Sequence, residues 1–279
     1  MKNTTTTARD ARTLDPWAFP SSRPEYDVRK LVGDFETVGK AKAERGLRIR
    51  HLRTAGSIEH RRLADKLESC APNARCRSAA CPICCRRLRM WITGAVLELL
   101  DGIPDPIAAT LIPSGQAVPT GDLRDFSPKR FGDMLRQQLR RAGAGSQIIV
   151  GGIDGDYDEM RQSWQPHFHL IAPAALKPTF DELRDRFYPN SDRVHRPVLT
   201  QPVKDPARQV SYCVKSYWLQ KVRYLDGAGE KRRAPRRLDN ALHVDWLVWR
   251  DQFPLADFLF LHGVRRYGGE LRIPRSSGA

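Results

Sequence analysis

The pair His167 and His169 is the first feature of this chain whose residue types and spacing suit chemistry. Both lie in the segment Trp164 to Ala172, which is typical of a β-strand. Because side chains alternate along a strand, both imidazoles project from one face, while Phe168 points into the opposite layer. Two nitrogen ligands on one rigid strand can bind a metal ion. Taken alone, the two histidines also fit a surface or structural pair.

A carboxylate on a neighbouring strand can complete this ligand set. The segment Gln147 to Asp154 predicts a second strand, and the polar stretch Tyr157 to Ser163 predicts a hairpin turn. A turn with its tip near Met160 places Asp154 opposite His167. Two imidazoles and one carboxylate suit a divalent ion such as Mg²⁺ or Mn²⁺ that acts on phosphate oxygens.

Tyr212 is the candidate nucleophile. We expect a helix from Pro206 to Val222, on which Tyr212 and Lys215 share an exposed face. Phenols titrate near pH 10, so a neighbouring cation would help this tyrosine to attack at neutral pH. A tyrosine half-buried at a helix edge is the alternative interpretation. The positions expected to face the core are Val210, Cys213, Val214 and Tyr217.

A cysteine cluster precedes these residues. Five of the six cysteines fall between Cys70 and Cys85, and such clustering favours metal binding over disulfides. Four thiolates can surround one tetrahedral structural Zn²⁺, with Cys85 as a substitute ligand; free structural cysteines are the alternative. The four predicted zinc ligands are Cys70, Cys76, Cys81 and Cys84.

Basic residues lie beside the cysteines and again in a predicted loop near residue 234. Arginines next to the cysteines suit contacts with phosphates. We therefore expect the cysteine module to dock DNA, with no part in the chemistry. The predicted DNA-binding residues are Arg86, Arg87, Lys231, Arg232, Arg233, Arg236 and Arg237.

These pieces, in this order, resemble the HUH endonucleases, and among them the rolling-circle replication initiators of small bacterial plasmids. Pro166 to Leu170 looks like the histidine motif, and Tyr212 to Lys215 looks like the nucleophile motif. Cys81 to Cys84 with the arginines after it resembles the cysteine module, and Thr110 to Ile112 is a weaker match to the first motif. The resemblance covers roughly residues 70–222.

Two departures from the family pattern concern the site. Relatives commonly carry a glutamate on the strand before the histidine strand, where this chain has Asp154, with Asp156 and Asp158 nearby. Some relatives have two catalytic tyrosines one helical turn apart. Tyr212 and Tyr217 do not have that spacing, so we interpret the chain as a single-tyrosine enzyme.

The resemblance implies a sequence-specific endonuclease and strand transferase that nicks single-stranded DNA. Tyr212 would form a 5′-phosphotyrosine link, and the free 3′-OH would prime rolling-circle replication of a plasmid. A transposase or a mobilisation relaxase is the alternative within the superfamily. A zinc-containing DNA-binding regulator without catalysis is the alternative of another class.

The pattern after residue 104 runs strand, helix, hairpin, helix, strand, helix. Ser127 and Pro128 favour the start of the first helix, and Thr179 with Glu182 predicts a capping box for the second. This order predicts an α+β fold with an antiparallel sheet of the ferredoxin-like, split βαβ type and helices on one face. A small zinc-binding module adds to it.

Four segments are expected along the chain. Residues 1–23 form a flexible leader, and residues 24–104 form a helical segment with the zinc module. Residues 105–223 form the nicking and joining domain. Residues 224–279 form a basic loop and a C-terminal helical segment.

Composition points to the partner. Lysine and arginine outnumber acids 47 to 32, giving a formal charge of +15. Such a charge suggests a polyanionic partner, and we expect DNA, as a single strand or a hairpin origin. A host helicase is a candidate second partner that the sequence does not identify. No apolar run has the length of a membrane span and no secretory signal is visible, so we expect a cytoplasmic location without membrane association.

Overall fold

A computed structural model describes residues 27–225, 231–267 and 270–274 of the chain, and the leader predicted at residues 1–23 lies outside these ranges. The described part is an α+β structure. Its helices are α1 (Val28–Leu31), α2 (Val38–Ala55), α3 (Ile58–Glu68), α4 (Pro82–Leu100), α5 (Pro128–Arg141), α6 (Lys177–Phe187), α7 (Pro206–Cys213) and α8 (Asn240–Asp251).

The strands of the described residues all follow α4. They are β1 (Pro106–Leu111), β2 (Val118–Pro119), β3 (Ile149–Asp158), β4 (Ser163–Pro173), β5 (Val198–Pro202), β6 (Leu219–Leu225), β7 (Lys231–Arg237), β8 (Leu259–His262), β9 (Arg265–Tyr267) and β10 (Glu270–Arg272). Eight of these strands form one sheet in the order β5-β1-β4-β3-β6-β7, with β2 on β4 and β8 on β3.

The sheet is mixed. Most neighbouring pairs are antiparallel, but β3 and β6 pair in parallel through Asp156 and Leu219. The prediction of an antiparallel sheet is therefore correct for the pairs β1·β4, β1·β5 and β3·β4 and incorrect for β3·β6. The β9·β10 hairpin forms a separate two-stranded sheet.

The β3–β4 hairpin has the predicted register. Asp154 pairs with His167, and Gly152 pairs with His169. Asp158 stabilises the turn, because its carboxylate accepts the backbone N–H of Met160. The histidines and Asp154 consequently share one face of the sheet.

Helices pack on both faces of this sheet, which corrects the prediction of helices on one face. On the face opposite the histidines, the Phe131 ring of α5 stacks on Phe168 at 4.2 Å between centroids. On the histidine face, the Tyr212 ring of α7 lies 4.9 Å from the His169 ring. Phe168 and His169 are neighbours in β4, so strand alternation sends their partners to opposite layers.

Four local predictions are wrong. The helix expected to reach Val222 ends at Cys213, because residues 219–225 form β6, which pairs with both β3 and β7. Tyr217 is consequently exposed rather than in the core. The predicted basic loop is strand β7, and α6 begins at Lys177 without a side-chain cap, ahead of the predicted Thr179 box.

One hydrophobic cluster joins the predicted segments. Leu63 of α3, Phe168 of β4 and Trp249 of α8 belong to the same buried set. The boundary predicted at residue 223 falls inside β6. None of the helices in the described ranges has the length and apolar character needed to cross a membrane.

Gly152 sets the distance between α7 and the sheet. A Cβ at this position would lie 2.5 Å from the carbonyl oxygen of Cys213, which is backbone and must move. We expect Gly152→Ala to lower the free energy of unfolding by about 1–3 kcal/mol, as overpacking does. Urea denaturation checks this result. The control Gly115→Ala adds a Cβ into open space, so equal stability of the two variants would contradict this packing account.

Candidate active site and metal centres

Asp154, His167 and His169 converge at the centre of the β3–β4 hairpin. His167 Nε2 lies 3.4 Å and His169 Nε2 lies 3.2 Å from Asp154 Oδ2. One ligand atom from each residue lies within 4.8 Å of the others, and all three side chains are buried. The structure therefore brings together the three residues that the sequence predicted as a metal site.

Neighbouring groups fix the two imidazole rings. His167 Nδ1 lies 3.1 Å from the carbonyl oxygen of Gln165, which can only accept, so Nδ1 carries the proton and Nε2 carries the lone pair. His169 Nδ1 lies 3.0 Å from the Thr110 hydroxyl of β1. Such partners orient ligating histidines in metal sites. Thr110 belongs to the segment that weakly resembled the family's first motif.

The protonation of this cluster suits a cation. Burial alone would raise the pKa of Asp154, but the neighbouring His167 and His169 rings and the Lys215 charge hold it well below its usual range. Burial also lowers the pKa of His169, which keeps that ring neutral at neutral pH. Asp154 Oδ1 and His169 Nε2 are buried with no hydrogen-bond partner among the described residues. The three residues could hold a metal ion.

Tyr212 and Lys215 lie beside this cluster. Lys215 lies in the turn that follows α7, and its backbone N–H donates a hydrogen bond to the carbonyl oxygen of Tyr212. Its ammonium lies 2.8 Å from Asp154 Oδ2 and donates to the Tyr212 hydroxyl at 3.3 Å. The predicted pairing of the two side chains is thus present, although they do not share a helix face. Tyr212 is 43% exposed, so its hydroxyl is open to a substrate.

The Lys215 side chain carries a full positive charge. Burial works to lower the pKa of its ammonium, but the Asp154 carboxylate outweighs that effect and raises it. The ammonium also lies 4.5 Å from the Tyr212 ring centroid. A fixed cation therefore touches both the carboxylate of the cluster and the candidate nucleophile.

The four predicted cysteines form a second cluster. Cys70, Cys76 and Cys81 lie between α3 and α4, and Cys84 lies in the first turn of α4. The sulfur atoms of Cys70 and Cys76 each lie 3.7 Å from that of Cys84, and all four lie within 4.8 Å of one another. The cluster could hold a metal ion.

Cys85 is outside the tetrad, so it is not the substitute ligand that the sequence allowed. Its thiol donates to the carbonyl oxygen of Ala79 at 3.2 Å. The buried Arg250 donates to the same carbonyl at 2.7 Å, and the buried Arg48 donates to that of Ala80 at 2.9 Å. Both arginines come from distant parts of the chain, and sequence reasoning missed their role in holding the cysteine loop.

The thiols of the tetrad share protons. Hydrogen bonds with Cys81 and Cys84 lower the pKa of Cys76 to about 2. Hydrogen bonds with Cys76 and Cys81 raise the pKa of Cys84. One thiolate is thus held by protonated neighbours, and a cation at the centre of the four sulfurs would take the place of those protons.

The predicted DNA-contacting arginines lie in several environments. Arg86 is half-buried, donates to the carbonyl of Glu36 and lies over the Phe35 ring, while Arg87 lines the surface beside Cys70. Arg236 and Arg237 are exposed on β7. The side chains predicted at Lys231, Arg232 and Arg233 lie outside the described residues.

Asp156 is a further acidic group that the sequence named without a role. It lies two residues after Asp154 on the same face of β3, and its carboxylate pairs with Lys221 of β6 at 2.6 Å. Its distance to His167 Nδ1 is 3.9 Å. The i, i+2 spacing of Asp154 and Asp156 in a predicted strand indicates that both carboxylates lie on the same face.

The histidine cluster generates a binding prediction. We expect His169→Ala to weaken Mn²⁺ binding roughly 100-fold or more, because loss of even an outer-shell partner costs 10- to 100-fold. Isothermal titration with Mn²⁺ measures the affinity. The control His195→Ala removes an exposed imidazole and should bind as the wild type does. Equal loss in both variants would exclude this site.

The cysteine tetrad generates a prediction of metal content. Purified protein should contain about one tightly bound metal ion per chain, which Cys81→Ser with Cys84→Ser removes by deleting two thiolates. Elemental mass spectrometry gives the ratio. The matched control Cys85→Ser changes a buried thiol outside the tetrad and should retain the metal. Wild-type protein without metal would refute the prediction.

The two clusters, Asp154 with the two histidines and the four cysteines, are the two groups of possible metal ligands in the described residues. No family model, curated protein or solved structure matches this chain.

Proposed function

We propose that this chain is a metal-dependent DNA endonuclease and strand transferase that cuts a single strand with Tyr212. One observation carries the proposal: the buried Asp154 carboxylate contacts both histidines and Lys215, and Lys215 in turn contacts the Tyr212 hydroxyl. A nucleophile, a fixed cation and a ligand set for a divalent ion thus lie in direct contact. Phosphoryl transfer needs these three components together.

The donor chemistry supports the identity of the ions. Two imidazole nitrogens and a carboxylate fit Mg²⁺ or Mn²⁺ at Asp154, His167 and His169. Four thiolates fit Zn²⁺ at the cysteines, and a tetrahedron with Zn–S bonds of 2.3 Å has edges of about 3.8 Å. The two sulfur separations of 3.7 Å agree with that edge. The zinc would be structural, since the tetrad has no open position for a substrate.

Tyr212 performs the attack in the proposed reaction. Its oxygen forms a bond to the scissile phosphorus, its proton leaves to solvent, and the bond from phosphorus to the 3′-oxygen breaks. The 3′-oxygen leaves as a hydroxyl after it takes up a proton. Lys215 donates to the tyrosine oxygen and stabilises the charge that develops there.

A divalent ion bound at the cluster would act as a Lewis acid on the phosphate oxygens. Asp154, ionised and held by Lys215, supplies the negative ligand, while Gln165 and Thr110 hold the imidazoles in place. The products are a 5′-phosphotyrosine and a free 3′-hydroxyl. The tyrosine ester conserves the phosphoester bond, so the same groups can rejoin strands.

The strand order supports a ferredoxin-like core as part of this proposal. The elements β1, α5, β3, β4, α6 and β5 follow the strand, helix, strand, strand, helix, strand pattern. Their four strands are neighbours in the order β5-β1-β4-β3 and pair antiparallel. In the full sheet, where β6 and β7 lie beyond β3, both ligand strands are central and the nucleophile helix packs across them.

Within the proposed enzyme class, initiation of rolling-circle plasmid replication is the role we favour, because the cysteine module precedes the histidine strand as in those initiators. Transposases and relaxases use the same chemistry. The free 3′-hydroxyl would serve as a primer in replication, with a host helicase as a partner.

A DNA-binding regulator without catalysis is the second candidate function, favoured by the cysteine tetrad and the charge of +15. It leaves the contact between Lys215 and Tyr212 without a role. A covalent assay separates the two functions.

We expect Tyr212→Phe to abolish the covalent protein–DNA adduct, because only the hydroxyl oxygen can attack. Protein incubated with a labelled single-stranded library and Mn²⁺ is resolved on a denaturing gel. The control Tyr188→Phe also deletes one phenolic oxygen, but that oxygen donates to Gln138 on α5, away from the cluster. An adduct of wild-type strength with Tyr212→Phe would overturn the assignment of the nucleophile.

A further inference from the structure

A cleft of about 730 Å³ opens beside Tyr212. Tyr212, Lys215 and Tyr217 line one side of it. The other side comes from the N-terminal helical segment, with Lys40 and Arg50 of α2. The part of the chain expected to dock DNA through its cysteines thus also forms a wall beside the nucleophile.

The charge of the cleft is positive. Seven lysines and arginines line it against three acids. Four of the cations, Lys40, Arg50, Arg208 and Arg237, are exposed, whereas the acids Glu36 and Glu44 are only partly exposed. The third acid, Asp34, is exposed and lies 3.7 Å from Arg208. Glu44 is paired with Arg48 and Arg237. An anionic chain that enters the cleft would therefore meet mainly guanidinium and ammonium groups.

An exposed aromatic ring accompanies this charge. Tyr217 is 48% exposed at the edge of the cleft, five residues after the nucleophile. Its position follows from the early end of α7, which leaves residues 214–218 outside any helix or strand. Cationic grooves with exposed aromatic side chains bind single-stranded nucleic acid, because phosphates follow the cations and bases stack on the rings.

We propose that this cleft binds the single-stranded DNA segment next to the scissile phosphate. One base of the segment stacks on Tyr217, and phosphates of the segment contact Arg208 and Arg237. This inference rests on the proposed nicking function and adds a substrate subsite to it. The subsite uses the wall formed by α2, so the N-terminal segment takes part in positioning the cut strand. A duplex lacks the unstacked bases that the ring requires.

The test measures binding without cleavage. Fluorescence anisotropy with a labelled mixed-sequence 20-mer, in buffer without added divalent ion, gives the affinity for single strand and for duplex. We expect Tyr217→Ala to weaken single-strand binding roughly 5-fold or more, and Tyr217→Phe to restore it, since the ring does the stacking. Circular dichroism melting shows whether each variant is folded.

Two arginine pairs supply matched charge controls. Each phosphate contact with single-stranded DNA contributes roughly 0.7 to the magnitude of the slope of log K against log salt. The double variant Arg208→Ala with Arg237→Ala should therefore reduce that magnitude by about 1.4. Arg53→Ala with Arg186→Ala removes the same charge from exposed, ion-paired arginines on α2 and α6 that do not line the cleft. This second pair should change the slope much less.

The outcomes distinguish failure of the proposed DNA binding in the cleft from failure of the proposed nicking reaction. Selective loss of single-strand binding in the cleft variants supports the inference even if no covalent adduct forms. Equal effects of the two arginine pairs, or wild-type binding by Tyr217→Ala, would overturn it. Parallel losses for single strand and duplex would also overturn it, because the cleft would then be a general DNA surface.

Discussion

The buried carboxylate of Asp154 is the constraint on which the site depends. It is 1% exposed and lies near two imidazoles and one ammonium. An ionised carboxylate in such a place is costly unless it is paired. Lys215 supplies part of that compensation, and a divalent ion between the carboxylate and the imidazoles would supply the rest. The need for positive charge around Asp154 thus brings together β3, β4 and the turn that follows α7.

Much of the site could be predicted from the sequence because its geometry is local. Strand alternation puts His167 and His169 on one face, and the length of the turn after Asp158 sets Asp154 opposite His167. The cysteine spacing likewise predicted the tetrad. In both clusters, most ligands come from one short segment of the chain, so its local conformation places them close together.

The parts of the fold and site that the sequence did not predict depend on long-range contacts, which a local residue pattern does not reveal. The apolar and aromatic residues after Cys213 fit helical spacing, yet residues 219–225 pair with β3 and β7 as a strand. The chain therefore leaves the helix before Lys215. Arg48 and Arg250 hold the cysteine loop from positions far along the chain. The cleft beside Tyr212 likewise needs α2, whose residues have no amphipathic pattern.

The most direct test of the account is tandem mass spectrometry of the protein after reaction with single-stranded DNA and Mn²⁺, followed by protease and nuclease digestion. The account predicts a nucleotide attached through its 5′-phosphate to the peptide that contains Tyr212, together with DNA fragments that end in a free 3′-hydroxyl. A nucleotide attached to another residue, a 3′-linked nucleotide, or cleaved DNA with no linked peptide would contradict it.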